Sequence, residues 1–361
     1  MEPPPVQYVR TPDGFDIAYT VSGQGLPFVF MPWPFSHRDL WWQSVFGGPI
    51  SEALAQRFRL VQYDSRGQGM STRGLPEDHS LDDYLTDLEA VVDRLRLDRF
   101  ILFGCPVFGH VAVKYAVRRP ERLLALVIAN ILATSGAPVA PLIAEMARRD
   151  WDAFIYTVAA SFSVAGAPIE TSYWRVATSR EDFLLMDAAG RASRIDDLLP
   201  QITVPTFVGT NRFLRDGVTP NAVFAASQRV AAMVPNARLD IAETDGAVLL
   251  PDETGVPPLV RRIEAFLHDV GVLTAATATP ASDEATGAGP DAGLADHGLS
   301  PRQREVLRLV AEGKTNREIA EDLVLSERTV QRHVADIYAR IGARNRAEAT
   351  AIALGGSFTA P

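Results

Sequence analysis

Short, largely apolar runs recur along the first two thirds of the chain. Phe28–Met31 (FVFM), Phe58–Tyr63 (FRLVQY), Phe100–Phe103 (FILF) and Leu124–Ile128 (LALVI) have strand length. Thr206–Val208 and Leu239–Ile241 open two more. Between them lie longer stretches of helical period. Leu81–Leu97 places Leu88, Val91, Val92 and Leu95 on one face, and a second stretch runs from about Gly109 to Arg118. Strands separated by helices predict an α/β fold with a mostly parallel sheet covered on both faces. From about 132 to 200 this rhythm breaks. Leu142, Ile143, Met146, Trp151, Phe154, Phe162 and Trp174 read as helices forming a cap inserted over the strand ends.

Residues 271–297 are poor in large apolar side chains and rich in Ala, Thr, Gly, Pro and Asp. Such a segment buries too little surface to offset its ordering entropy, which predicts a flexible linker. It divides the chain into a domain at 1–270 and a second at 298–361. No apolar stretch reaches the length of a membrane span, the N-terminus lacks a signal-peptide core, and the expectation is a cytoplasmic protein. The single cysteine, Cys105, has no internal disulfide partner, and neither a metal nor a cofactor is expected. The chain has 361 residues and a net charge of −9, but the last 63 residues hold ten Lys/Arg against eight Asp/Glu. The rest is then at −11, so a polyanion partner points to the small C-terminal domain alone.

In the large domain, Tyr63–Ser71 (YDSRGQGMS) follows a strand and packs glycines at 67 and 69 into a tight turn. Asp64 and Arg66 read either as a catalytic carboxylate and clamp or as turn structure. Together with VRTPDGFDIAYTVSG, FVFMPWP, DRFILFGCPVFGH and VPTFVGTNR, this turn resembles the α/β-hydrolase superfamily over roughly residues 7–268. The resemblance implies a nucleophile on a strand-to-helix elbow, usually Gly-x-Ser-x-Gly. Here Gly104-Cys105-Pro106-Val107-Phe108-Gly109 puts Pro106 at that position. Sliding the register by one residue puts Val107 or Cys105 there instead. The base position reads Ala247, in Asp245-Gly246-Ala247. The acid position reads Leu214, with Asp216 two residues late, and an alternative acid site after LALVI holds Asn130. The oxyanion segment reads Pro32-Trp33-Pro34-Phe35, and proline lacks an N–H. The expectation is a domain with no catalytic residue that keeps the fold and binds an apolar small molecule through Trp33, Phe35, Pro106, Val107, Trp174, Leu214 and Ala247. Trp33 and Phe35 read equally as cage walls or as plugs. Two alternatives stay open: an enzyme using Cys105 or a displaced acid, and a ligand-free dimerisation scaffold.

The C-terminal segment carries denser local signals. Ser300-Pro301-Arg302-Gln303 and Thr315-Asn316-Arg317-Glu318 are capping boxes, and Ser326 caps a third helix. Val306, Leu307, Leu309 and Val310, then Ile319, Ala320 and Leu323, then Val330, Val334, Ile337 and Ile341 supply three apolar faces. A fourth helix is expected from about Asn345, with Ala349, Ile352 and Leu354. Two short helices around a tight turn make a helix-turn-helix. The stretch EGKTNREIAEDLVLSERTVQRHVADIYARIG resembles the LuxR-type (GerE/FixJ-like) DNA-binding domain. That implies a recognition helix over Glu327–Ile341 in the major groove of double-stranded DNA. Gln331 and Arg332 are the base-edge candidates. Lys314, Thr315, Asn316, Ser326, Arg328 and Thr329 are the phosphate candidates, and Arg302, Arg304 and Arg317 read as a solvated face. The resemblance further implies a homodimer on a pseudo-palindromic operator. The whole sequence thus reads as a regulator joining an inactive hydrolase-like sensor to a DNA-binding domain.

Overall fold

The computed structural model divides into two compact units, Met1–Thr279 and Pro280–Pro361. It describes residues 3–33, 35–44, 47–104, 107–131, 140–162, 167–213, 223–244, 256–274, 301–311, 314–323, 326–341, 343 and 349. Among the described residues, no helix is long and apolar enough to cross a membrane.

The first unit is an eight-stranded sheet. Its strands are β1 (Gln7–Arg10), β2 (Asp16–Ser22), β3 (Pro27–Phe30), β4 (Arg59–Tyr63), β5 (Phe100–Gly104), β6 (Leu123–Ala129), β7 (Thr206–Phe213) and β8 (Ala237–Thr244). Their order is β1-β2-β4-β3-β5-β6-β7-β8. From β4 to β8 every pairing is parallel, whereas β1–β2 and β2–β4 are antiparallel. The parallel strands lie where the apolar runs predicted them. The β1–β2 hairpin escaped the pattern because β1 is a largely exposed edge strand of polar character, and edge strands lack a continuous apolar run.

Helices cover both faces. They are α1 (Arg38–Trp41), α2 (Gly47–Ala55), α3 (Asp83–Arg94), α4 (Phe108–Arg118), α5 (Ala140–Arg149), α6 (Trp151–Phe162), α7 (Ala167–Ala177), α8 (Arg180–Ala192), α9 (Phe224–Met233) and α10 (Pro258–Asp269). Side chains of a strand alternate between faces, and β7 shows which layer each face meets. Phe207 packs on Phe266 of α10, with ring centroids 5.6 Å apart, and Gly209 faces Leu259 of the same helix. Arg212 lies over the ring of Phe224 of α9 at 5.5 Å. Odd positions of β7 therefore meet α10 and even positions meet α9. Helices α5–α8 form the inserted cap that the break in rhythm predicted, and α5, α6, α7 and α8 pack on one another.

The second unit holds α11 (Pro301–Ala311), α12 (Asn316–Asp322) and α13 (Glu327–Ile341). Among the described residues its core holds the predicted apolar faces, from Val306 and Leu307 through Ile319 to Val330, Ile337 and Ile341, with the expected Ala349 and, in addition, Ala343. Of the fourth helix expected from Asn345, only Ala349 is among the described residues, and it is buried. The cap Ser300 and the residues 271–297, apart from 271–274, lie outside them.

Candidate functional site

The turn after β4 is densely bonded. Asp64 accepts hydrogen bonds from the backbone N–H of Arg38 (2.8 Å), from Arg38 Nε (3.0 Å) and from the Met70 N–H (3.0 Å). Both members of this Arg38–Asp64 pair are buried. Gly69 sits so close that a Cβ there would meet the Asp64 carboxylate at 2.1 Å, which is why the turn needs glycine at this point. Arg66 donates to Asp87 through its own N–H (3.0 Å) and Nε (2.8 Å), and grips Asp13 with Nη1 and Nη2. Burial pushes the Asp87 carboxyl up to about 6 even though Arg66 pulls the other way. Burial alone would lower Arg66, but Asp13 and Asp87 hold it above its ordinary value. Both charged residues of the motif are thus fully engaged in building the turn.

The same turn docks the cap. The Gly69 N–H donates to the Ala177 carbonyl (2.6 Å), Thr178 Oγ1 to the Gly67 carbonyl (2.9 Å) and Gln68 Nε2 to Met186 Sδ (3.1 Å). Asp182, near the start of α8, accepts from the N–H groups of Leu75 (2.7 Å) and Gly74 (3.2 Å). Arg73 reaches the carbonyls of Gly69 and Val176.

Between cap and sheet lies an aromatic seam. Phe35 stacks on Trp174 at 4.5 Å with an interplanar angle of 8°, and on Phe183 at 5.5 Å. Phe154 completes the cluster, 6.3 Å from Phe35 and 4.8 Å from Phe183. Phe35 and Trp174 are each only 3% exposed, so two residues expected to line a ligand site are brought together and fill space with each other. Trp33 is half-buried against the core. Val107 is half-buried too and faces Gly190 of α8. Cys105, Pro106, Leu214, Asp216 and Ala247, like Pro34, lie outside the described residues.

Three polar residues stand out that the sequence reading did not place in a ligand site. Asn130 Oδ1 at the end of β6, Thr210 Oγ1 in β7 and Ser227 Oγ in α9 are buried without a hydrogen-bond partner. Asn130 also has a positive φ of 50°. Only Asn130 had a sequence signal, as an alternative acid position. A lone Thr in a strand and a lone Ser in a helix carry none. A buried histidine is also present. His79 Nδ1 lies 3.3 Å from Asp83 Oδ2, and its ring meets Tyr84 edge-on at 4.6 Å. Burial lowers its pKa, with Asp83 opposing.

In the second unit the hydroxyls of three phosphate candidates are occupied locally. The Thr315 N–H and Oγ1 both donate to Glu318 Oε2 (2.7 and 2.8 Å), and the Glu318 N–H donates back to Thr315 Oγ1 (3.3 Å). Ser326 Oγ pairs with Thr329 Oγ1 (2.7 Å) and accepts the Thr329 N–H (3.1 Å). These are the capping box at Thr315 and the N-cap at Ser326 read from the sequence. On α13, Val330, Val334, Ile337 and Ile341 face the core, while Gln331, Arg332, Ala335 and Asp336 are exposed on the remaining surface. Lys314 and Asn316 are half-buried beside α12, and Asn316 Oδ1 is buried without a partner. Arg328 lies on α13, but its side chain is outside the described set. Arg302 differs from the solvated face expected of it, because its Nη2 donates to the Leu323 carbonyl (2.6 Å) and ties α11 to the turn after α12.

Comparison with known proteins bears on both units. The family described as "alpha/beta hydrolase fold" matches residues 32–209. The family described as "Bacterial regulatory proteins, luxR family" matches residues 297–353. A protein named "Putative carbamate hydrolase RutD" from Rhizobium rhizogenes is 30% identical over 176 residues, covering 45% of this chain and 67% of that protein. The chain belongs to the α/β-hydrolase fold family. It also carries a luxR-family regulatory domain. The Caulobacter segnis protein of the same RutD name is 34% identical over 119 residues, 31% of this chain and 45% of its own. The chain thus spans less than half of one of these relatives and two thirds of the other. An HTH-type transcriptional regulator of Mycobacterium bovis is 46% identical over 50 residues, 14% of this chain and 6% of its own. Among solved structures, the enol-lactonase from Burkholderia xenovorans superposes with a TM-score of 0.60 at 19% identity, over 73% of this chain and all of its own. That likeness speaks to fold alone.

Proposed function

We propose that the chain is a transcriptional regulator in the cytoplasm, with the sensor domain at 1–270, a linker at 271–297 and the DNA-binding domain at 298–361. The single observation that carries this reading is the luxR-family domain at 297–353, joined in one polypeptide to a hydrolase-fold domain. The exposed Gln331 and Arg332 of α13 read base edges, and Lys314, Thr315, Asn316, Ser326, Arg328 and Thr329 hold phosphates. Two copies bind a pseudo-palindromic operator as a homodimer. The hydrolase-fold domain does no chemistry, since its nucleophile, base and acid positions read Pro106, Ala247 and Leu214, and losing such groups removes most of the rate. It binds an apolar small molecule beneath the cap, and this shifts DNA affinity to the extent that the ligand prefers one state of the protein. Selection of the full chain on a randomised DNA library tests the first half. Enrichment of a two-fold symmetric site is expected, and no enrichment over bulk DNA overturns the regulator reading.

A second reading is favoured by the hydrolase relatives and by the buried His79 beside Asp83: the domain is an enzyme, with Cys105 or a displaced acid in its machinery. Activated esters then turn over, and the activity falls in Cys105→Ala or His79→Gln. No turnover above the buffer rate leaves the sensor reading in place.

A further inference from the structure

Asn130 Oδ1, Thr210 Oγ1 and Ser227 Oγ each lack a hydrogen-bond partner, and the topology collects them. The register pairs Ala129 with Gly209, and the Asn130 N–H donates to the Gly209 carbonyl at 2.9 Å. Asn130, just past the end of β6, is therefore level with Thr210 of the adjacent parallel strand. Thr210 shares the face of β7 on which Arg212 lies over Phe224 of α9. Ser227 is one helical turn beyond Phe224, and α9 descends as β7 rises, so Ser227 comes down to the level of Thr210. Thr210 is 4% exposed and Ser227 fully buried.

Each unmet buried polar atom forfeits its hydration without return. Others occur among the described residues, Tyr63 Oη and Ser65 Oγ at the end of β4 among them. These three are small neutral groups on adjacent elements, in the carboxyl halves of β6 and β7 and on α9 beside them, toward the edge where open α/β sheets take their ligands.

We propose that Asn130, Thr210 and Ser227 form the polar end of the small-molecule site, selecting an otherwise apolar ligand that carries one neutral hydroxyl or amide N–H. This rests on the ligand-binding reading above and narrows its ligand class. An amide and two hydroxyls both accept and donate, and all three are uncharged. A carboxylate there would bury a charge against neutral groups, whereas a phenol, alcohol or amide exchanges water for matched hydrogen bonds. The seam of Phe35, Trp174 and Phe183 is filled by its own rings.

Calorimetric titration of the full chain with 2-naphthol, 2-methylnaphthalene and 2-naphthoate tests this. The naphthol should bind at least about tenfold more tightly than the methyl compound, which has the same shape and cannot hydrogen-bond. The naphthoate should bind least. Thr210→Val should remove most of that preference and leave 2-methylnaphthalene within about twofold, while Thr210→Ser restores it. Ser227→Ala is the second variant should the valine disturb folding, which the circular dichroism spectrum reports. Equal affinity for naphthol and methylnaphthalene, or a preference unchanged in Thr210→Val and Ser227→Ala, overturns the polar subsite and leaves an apolar pocket standing. Failure of all three compounds to bind overturns both.

Discussion

Two parts of one sheet differ in how they hold buried charge and buried neutral polar groups. At the end of β4, all four carboxylate oxygens of Asp64 and Asp87 are bonded, each carboxylate by one arginine through both backbone and side chain. At the ends of β6 and β7, a buried amide oxygen and a buried hydroxyl are bonded by nothing, and α9 adds a second such hydroxyl. The first region carries the sequence's most recognisable motif, and its charges are consumed in shaping a turn and docking the cap. The second carries no motif, and its open groups are neutral, as are the open Tyr63 Oη and Ser65 Oγ beside the first. The charges of the conspicuous motif, Asp64 and Arg66, therefore serve architecture.

The sharpest way to break that contrast is Asp64→Ala. It strands the buried Arg38 guanidinium and deprives the Arg38 and Met70 N–H groups of their acceptor. Removing one member of a buried pair costs about 3–5 kcal/mol, and urea unfolding of the full chain should show the first transition displaced by that amount. A loss below about 1 kcal/mol would mean the pair is not structural. Asp182→Ala removes the acceptor of two backbone N–H groups at the cap's edge. It should cost about 1–3 kcal/mol, with limited proteolysis finding cleavage in α5–α8 before the sheet is cut.

The same rule sorts the arginines of the second unit. Arg302 is tied to the Leu323 carbonyl, whereas Arg332 is exposed on α13. Arg332→Ala should relax base preference at one position per half-site by about 1–3 kcal/mol and leave thermal stability unchanged. Arg302→Ala should lower the melting temperature of that unit instead. A binding profile indifferent to Arg332→Ala removes it from the base-reading set.

What could be read in advance followed the range of the forces involved. The parallel strands were legible because burial on both faces makes each a continuous apolar run. The caps at Thr315 and Ser326 were legible because a capping box is complete within four residues. The cap helices announced themselves by a break in rhythm. The β1–β2 hairpin did not, since an exposed edge strand has no apolar run to show. The stack of Phe35 on Trp174 and the alignment of Asn130, Thr210 and Ser227 were illegible for a different reason. Each joins residues far apart in the chain, brought together only by the register of the sheet and the seating of the cap. Arg302 was misjudged because its partner is a backbone carbonyl, which no residue type advertises.

The smallest predicted effect concerns His79, whose buried ring separates structural from catalytic use. Its pKa is lowered by burial, with Asp83 opposing, against an ordinary value of 6.5. As pH falls through that value, the unfolded chain takes up the proton more readily than the folded one, so stability declines. His37, also lowered by burial, adds the same sign. Asp87, raised to about 6, has the opposite sign below that pH because there the folded chain takes up the proton first. Asp87 begins to take up its proton about one unit above its pKa, so the two signs overlap below about pH 7. The quantity to read is the difference between the native chain and His79→Gln, in which Asp87 cancels and a single histidine contributes at most about 1.4 kcal/mol per pH unit. Between about pH 7.5 and 6 the melting temperature of the first unit should fall more steeply in the native chain than in His79→Gln. An unchanged slope would show that His79 is protonated alike in both states, held as an ion pair by Asp83. That outcome would move it from the packed groups of the sheet's edge to the reactive ones.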